Sequence, residues 1–178
     1  MGRGLRRGTV ALEPHDPEWE IIAQQTITKL REILQGCAAD IQHIGSTAIR
    51  EIAAKPIIDI VIGVPALPDI LARNDVLAEN GFLFRGSDQP EQYLYVCGDQ
   101  DSRTHHIHAV QYGSEQWENY LYLRDYLNSH PDAAQTYSAL KFALAAQYPA
   151  DRAAYTARKS GMIREILAKA RAADMETT

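Results

Sequence analysis

The chain has 178 residues, of which 46% are hydrophobic and 23% charged, and its formal net charge is −5. This composition is typical of a folded globule, and the length suits one domain spanning residues 1–178. The acidic balance argues against nucleic acid or an anionic membrane as the main partner. No apolar run is long enough for a signal peptide or a membrane span, and the two cysteines have no metal-binding spacing, so we expect a cytoplasmic protein.

The pattern of apolar residues and turn signals predicts an α/β (α+β) fold. After a short strand at 9–12, Asp16 should cap a helix that has Pro17 at its first position, runs to about Leu34 and stops at Gly36. Pro65 and Pro68 open a second helix that reaches Glu79. The remaining strands are expected at 41–44, 57–64, 82–85, 92–97 and 104–111. Three helices near 115–128, 132–147 and 151–172 follow, so a mixed sheet unit (9–112) precedes a helical region (113–172) that packs on it.

The strand at 57–64 carries one acid, Asp59, in an otherwise aliphatic run. Its continuous apolar character indicates that both of its faces are covered. Burial of an ionised carboxylate is costly unless a positive group pairs with it. We therefore expect Asp59 to point into a polar site.

His106 and His108 share one face of the last predicted strand, because side chains alternate along a strand. If that strand neighbours the Asp59 strand, a carboxylate and two imidazoles converge, which is a ligand set for a divalent cation. The alternative is that one imidazole bonds a carbonyl group and the other faces water.

Gly45, Ser46 and Thr47 form a turn that is suited to holding an anion. Glycine lets the backbone approach a phosphate, the two hydroxyls donate hydrogen bonds, and the start of the next helical turn adds N–H groups. A turn of this composition that caps a helix without any ligand is equally ordinary.

Each C-terminal helix places one cation on an apolar or aromatic face. Lys141 follows Tyr137 by four residues and Lys159 follows Tyr155 by four, whereas Arg124 follows Leu121 by three. One such cation is explained if its aliphatic stem lies along the apolar face while its charged head reaches water. Three in succession favour a shared anionic ligand, such as a phosphate group.

Long ordered blocks of the chain resemble the GrpB family, also called UPF0157. They are LEPHDPEWE, QHIGSTAI, AAKPIIDIVIGV, SRTHHIHAVQYGSEQW and LRDYLNSHPDAAQTYSALKFALAAQYPADRAAYTARKS. The resemblance implies a nucleotidyltransferase-like core. It also implies a relation to domains fused to bacterial dephospho-CoA kinases, but it does not imply a known reaction.

The nucleotidyltransferase pattern consists of a Gly-Ser turn, an acid-x-acid pair and a third acid on a neighbouring strand. Gly45 and Ser46 match the turn and Asp59 matches the first acid. Val61 stands at the second acid, and His106 or His108 takes the place of the third. This departure counts against a mechanism with two magnesium ions, which needs carboxylates that bridge both ions.

These observations lead to two hypotheses. In the first, the protein binds a nucleotide or another phosphate-bearing ligand, with possible metal-dependent nucleotidyl transfer in which Asp59 and Ser46 act. Asp59, His106 and His108 would hold Mg, Mn or Zn. The ligand-binding residues would be Gly45, Ser46, Thr47, Lys55, Arg103, Arg124, Lys141 and Lys159.

In the second hypothesis, the chain is a non-catalytic accessory module that assists a dephospho-CoA kinase. An RNA-binding role is disfavoured by the acidic balance.

Overall fold

A computed structural model describes residues 11–99 and 101–177. The helices are α1 (Glu18–Leu34), α2 (Asn74–Glu79), α3 (Glu115–Ser129), α4 (Pro131–Gln147) and α5 (Arg152–Glu176), with 3₁₀ segments at Ser46–Ala48 and Leu67–Arg73. The strands are β1 (Asp40–Ile44), β2 (Ile58–Val64), β3 (Leu83–Phe84), β4 (Gln92–Gly98) and β5 (Arg103–Gln111). The predicted α/β class is confirmed.

The five strands form one mixed sheet in the order β1-β2-β5-β4-β3. The central pair, β2 and β5, is parallel, and the other neighbouring pairs are antiparallel. Asp59 pairs with His106 and Val61 with His108 across the central pair. The Asp59 strand and the histidine strand are therefore neighbours in register.

Helix α1 begins at Glu18, one residue later than predicted, and ends at Leu34 as the sequence indicates. The Asp16 carboxylate accepts a hydrogen bond from the Glu18 N–H at 2.9 Å. At the other end, Gln35 and Gly36 adopt left-handed backbone conformations. Its buried side chains cover one face of the sheet, where Ile60 and Ile62 of β2 are fully buried.

Two predicted elements differ from the structure. The segment after Pro65 first winds as a 3₁₀ helix to Arg73, with the Asp69 N–H bonded to the Ala66 carbonyl, and becomes an α-helix only at Asn74. This tighter winding buries Ile70 completely. The strand predicted at 9–12 lies partly outside the described residues, and within them Glu13 forms an isolated bridge with Ala54.

The opposite face of the sheet receives the C-terminal helices. Val61 of β2 packs in an apolar cluster with Ile44, Val110 and Trp117, so α3 lies directly on β1, β2 and β5. A further cluster joins the loop after the 3₁₀ turn to α3, α4 and α5. The helical region thus closes over the sheet face that carries Asp59.

Candidate functional site

Asp59 and the two histidines of β5 meet at the centre of the sheet. His108 donates a hydrogen bond from Nε2 to Asp59 Oδ1 at 3.0 Å, and His106 Nδ1 lies 3.7 Å from the same oxygen. The fully buried Gln92 orients His108 from behind, since its Nε2 lies 3.4 Å from His108 Nδ1. The imidazole therefore presents an N–H to the carboxylate, which fixes its tautomer.

The Gly45-Ser46 turn lies against Asp59 because its first residue has no side chain. Gly45 has φ of 72° and ψ of −170°, a backbone conformation that essentially only glycine adopts. Ser46, the next residue, has its Oγ 3.4 Å from the hydroxyl of Tyr137 on α4. The turn thus lies between the acid-bearing strand and the helical region.

Three lysines approach the same region from different parts of the chain. Lys55 precedes β2, Lys141 lies on α4 and Lys159 lies on α5. Lys141 is only 1% exposed and donates a hydrogen bond from Nζ to the Ala53 carbonyl at 2.8 Å. Within residues 11–99 and 101–177, none of the three ammonium groups forms an ion pair with a carboxylate.

These groups surround a cavity of about 300 Å³ between the sheet and helices α3, α4 and α5. We call it the lysine cavity. Gly45 lines it, and its charged or polar lining residues are Ser46, Lys55, Asp59, Gln89, His106, His108, Tyr120, Tyr137, Lys141, Arg152, Thr156, Lys159 and Ser160. Within the described part of the chain, the lining therefore has four basic side chains and two imidazoles against a single carboxylate.

Burial and charge shift the acid–base properties of the lining groups. Burial opposes ionisation of Asp59, but the His108 hydrogen bond and the surrounding cations outweigh it and hold its pKa well below the usual range. Burial, aided by Lys159 and Arg152, lowers the pKa of Lys55 to about 7. Burial also lowers the pKa of His106 to about 4, so this imidazole is neutral at physiological pH.

The pKa values of the other two lysines, Lys141 and Lys159, shift in opposite directions. Burial and the neighbouring Lys159 and Lys55 lower the pKa of Lys141 well below its ordinary value. Burial acts in the same sense on Lys159, yet the hydroxyls of Tyr137 and Tyr155 outweigh it and raise the pKa of Lys159. Lys159 is therefore the amine most firmly held as an ammonium ion.

Three residues predicted for the ligand site lie elsewhere, which corrects the sequence interpretation. Thr47 faces a different cleft, where its hydroxyl bonds His43 Nε2 at 2.9 Å. Arg124 lies in the same cleft, where its guanidinium donates hydrogen bonds to Gln42 Oε1 at 2.8 Å and to the His43 carbonyl at 3.1 Å. Arg103, buried at the start of β5, does not line the lysine cavity either.

The cleft that contains Thr47 and Arg124 is larger, about 950 Å³, and lies between α1, β1 and α3. At its base the buried His43 bridges two groups: its Nδ1 lies 2.9 Å from Glu20 Oε2, and its Nε2 contacts Thr47. Thr47 adjoins Ser46, so this chain of hydrogen bonds supports the turn of the lysine cavity from behind.

Several cavity residues were missed by the sequence analysis. Arg152 opens α5 seven residues before Lys159, and Thr156 and Ser160 lie on the same helix. The helical spacing of Arg152 and Lys159 is a signal that could have identified the arginine. Tyr120 and Gln92 carry no comparable signal, because their role depends on a hydrogen bond of 2.7 Å between distant elements.

The predicted metal ligands contact one another directly. Within the part of the chain that the structure describes, no group of three or more His, Cys, Asp or Glu side chains has an arrangement that could hold a metal ion. Asp59 Oδ1 is instead occupied by the His108 N–H. As arranged, these side chains do not fit a bound ion, and metal binding stays a prediction.

Fold and site together define an α/β protein with a mixed five-stranded sheet and a basic cavity under a helical cover. The sequence model of the GrpB protein family matches residues 9–169, and the chain belongs to this family.

Individual GrpB proteins are similar to this chain in sequence and in structure. The chain is 36% identical over 169 residues to the glutamate-rich protein GrpB of Alkalihalophilus pseudofirmus, covering 92% of this chain and 97% of the relative. The crystal structure of GrpB from Enterococcus faecalis superposes with a TM-score of 0.81 at 28% identity, covering 89% of this chain and 98% of that one.

A dephospho-CoA kinase of Mycolicibacterium paratuberculosis is 29% identical over 198 residues, covering 94% of this chain but 47% of the kinase.

Among the described residues, no helix is both long enough and apolar enough to span a membrane.

Proposed function

We propose that the lysine cavity binds a small phosphate-bearing ligand, such as a nucleotide. The observation that carries this proposal is the excess of basic side chains: Lys55, Lys141, Arg152 and Lys159 line one cavity in which Asp59 is the single carboxylate among the described residues. Like charges that are partly desolvated repel one another, so an anion bound between them would relieve the repulsion.

The turn at Gly45 supports the same ligand class. It presents the Ser46 hydroxyl to the cavity, and the 3₁₀ helix that follows begins at this residue. A hydroxyl beside several ammonium groups is a donor set typical of phosphate sites. The tyrosine rings of the cavity add flat, partly apolar surface on which a nucleoside or another organic moiety could lie.

Nucleotidyl transfer would be a further step beyond binding. The position of the second acid is Val61, which is fully buried, and among the residues that the structure describes Asp59 is the only carboxylate in the cavity lining. His108 already bonds one oxygen of that carboxylate, Asp59 Oδ1, and we derive no reaction step through a divalent ion.

Isothermal titration with pyrophosphate and ATP tests the proposal. The informative variant is Lys159→Met, and the matched control is Lys169→Met, since Lys169 is an exposed lysine on the same helix. We expect Lys159→Met to weaken binding by about tenfold or more, which corresponds to ~1.4 kcal/mol. Equal affinities for the two variants, or no heat with either ligand, would contradict the proposal.

Repeating the ATP titration with manganese addresses the metal. If manganese strengthens ATP binding by the wild type but not by Asp59→Asn, the predicted ion site gains support. If manganese changes neither, the protein binds its ligand without a metal at Asp59.

A second candidate function is an accessory role without catalysis. Two observations favour it: Val61 in place of an acid, and the similarity to part of a dephospho-CoA kinase. Titration with the dephospho-CoA kinase of the same organism should then give saturable binding and a changed kinase rate. The absence of both effects would eliminate this candidate.

A further inference from the structure

Three ammonium groups of the lysine cavity share two tyrosine rings. Lys55 Nζ lies 4.9 Å from the centroid of the Tyr155 ring, and Lys159 Nζ lies 6.0 Å from the same centroid. Lys159 Nζ also lies 6.0 Å from the Tyr137 ring, to which Lys141 Nζ approaches at 5.2 Å. Lys159 is therefore the middle member of a row of three amines.

The three amines differ in their access to the cavity. Lys141 is 1% exposed and its Nζ is bound to the Ala53 carbonyl, so it is poorly placed to react. Lys159 is flanked by two tyrosine rings that stabilise its charge. Lys55 is half-buried and lines the cavity, and its stabilising contact is with a single ring.

A lysine crowded by other cations in a desolvated site is typical of a nucleophilic amine. Only the neutral form carries the lone pair that attacks a carbonyl carbon. Burial, Lys159 and Arg152 lower the pKa of Lys55 to about 7, which leaves much of this amine neutral near physiological pH. A free lysine side chain is almost fully protonated under the same conditions.

We propose that Lys55 forms an imine with a phosphorylated aldehyde or ketone whose phosphate is held by Lys159 and Arg152. The proposal rests on the phosphate-binding function of the same cavity and adds the class of ligand and a covalent step. All three residues line the lysine cavity, so the amine and the phosphate-binding cations face one enclosed volume.

The covalent step is a condensation. The lone pair of Lys55 Nζ attacks the carbonyl carbon while the C=O π bond opens, and a proton passes from nitrogen to oxygen to give a carbinolamine. Loss of the hydroxyl group with a second proton from nitrogen forms the C=N bond and releases one water. No oxidant, reductant or further co-reactant is required, and hydrolysis reverses the step.

Labelling with pyridoxal 5′-phosphate tests the proposal. The wild-type protein is incubated at pH 8 with about one equivalent of this phosphorylated aldehyde, the imine is reduced with borohydride, and the modified lysines are mapped by mass spectrometry. Pyridoxal, which lacks the phosphate, is the matched reagent, and Lys169 is the internal reference lysine. We expect Lys55 to be labelled about tenfold faster than Lys169, because far more of it is neutral at this pH.

Two variants separate the parts of the proposal. Lys159→Met should reduce labelling of Lys55 by pyridoxal 5′-phosphate toward the rate seen with pyridoxal, because a phosphate-binding cation and the charge that lowers the Lys55 pKa are both lost. Lys55→Arg cannot form an imine, so it should lose the imine absorbance and the borohydride-stable label at position 55. Thermal unfolding verifies that both variants are folded.

Labelling of Lys55 no faster than Lys169 would overturn the imine proposal. Pyrophosphate titration of the wild type distinguishes this failure from that of the binding function. If pyrophosphate binds but Lys55 is not selectively labelled, the imine is wrong and phosphate binding stands. If pyrophosphate does not bind, both proposals fail together.

Discussion

Gly45 lies so close to Asp59 that a Cβ atom on this glycine would stand 2.7 Å from Asp59 Oδ2 and 2.9 Å from Asp59 Cβ. Neither neighbour can retreat easily, since Asp59 is fixed within β2 and bonded to His108. The close approach brings Ser46 and the acid to one end of the lysine cavity. The glycine therefore serves the geometry of the site as well as the conformation of the turn.

Gly45→Ala is expected to destabilise the fold and to disturb the site. Backbone strain and the clash with Asp59 together should lower the free energy of unfolding by about 3 kcal/mol. The control is Gly113→Ala, because Gly113 has a similar φ of 75° but nothing within 4 Å of the added atom. Urea unfolding should show a loss of about 1 kcal/mol for the control. A similar loss in both variants would mean that the close contact with Asp59 does not contribute to the change in the free energy of unfolding.

His43→Phe should uncouple the turn from helix α1. The substitution leaves the buried Thr47 hydroxyl without its partner and removes the contact with Glu20, at a cost of about 2 kcal/mol in unfolding free energy. We expect weaker pyrophosphate binding as well, because Thr47 adjoins Ser46. His43→Gln provides one donor and one acceptor, so it should restore much of both quantities. Unchanged pyrophosphate affinity in the Phe variant would show that the turn needs no support from His43.

Acid should destabilise the protein through its buried histidines. Burial lowers the pKa of His105 and of His106 to about 4, from about 6.5 in the unfolded chain. Between these values the unfolded state binds more protons, so stability is fully present above pH 6.5 and is lost as pH falls toward 4. Urea unfolding at pH 7.5, 6 and 5 measures this slope. His105→Gln, which can still bond Thr26, should flatten it, and an unaltered slope would count against the assignment.

Lys141→Met should stabilise the fold while weakening the ligand site. The lysine is buried with one hydrogen bond to a carbonyl, and burial holds its pKa well below the ordinary value, so folding at neutral pH carries a desolvation cost. Methionine has a similar length and no charge, and the lost hydrogen bond costs only about 1 kcal/mol. Urea unfolding and pyrophosphate titration at pH 7.5 test both effects, with Lys169→Met as the control that should change neither. A destabilised Lys141→Met protein would mean that the amine supports the fold.

The sequence predicted the centre of the site better than its periphery. Strand alternation placed His106 and His108 on one face of their strand, and in the structure they lie 3.7 Å and 3.0 Å from Asp59 Oδ1. The adjacency of their strands could not be read from periodicity, because β2 and β5 are separated along the chain by β3 and β4. It followed from the resemblance to the GrpB family.

The helical contributions were only partly predictable. Lys141 and Lys159 line the cavity as their spacing indicated, but Arg124 does not, and Arg152 was missed. Spacing along one helix defines a face, whereas the rotation of that face relative to the sheet depends on packing between distant residues. Trp117, which packs on Val61, is one such contact, and no local pattern reveals it.

The burial of Val61 has an evolutionary consequence. The position that carries a second acid in the nucleotidyltransferase pattern is here enclosed by Ile44, Val110 and Trp117. A carboxylate at this position would be desolvated in an apolar cluster at a cost of several kcal/mol. Placing an acid at position 61 would therefore require α3 to be repacked at the same time. A pair of carboxylates at positions 59 and 61 would not arise in this chain through one mutation without loss of stability.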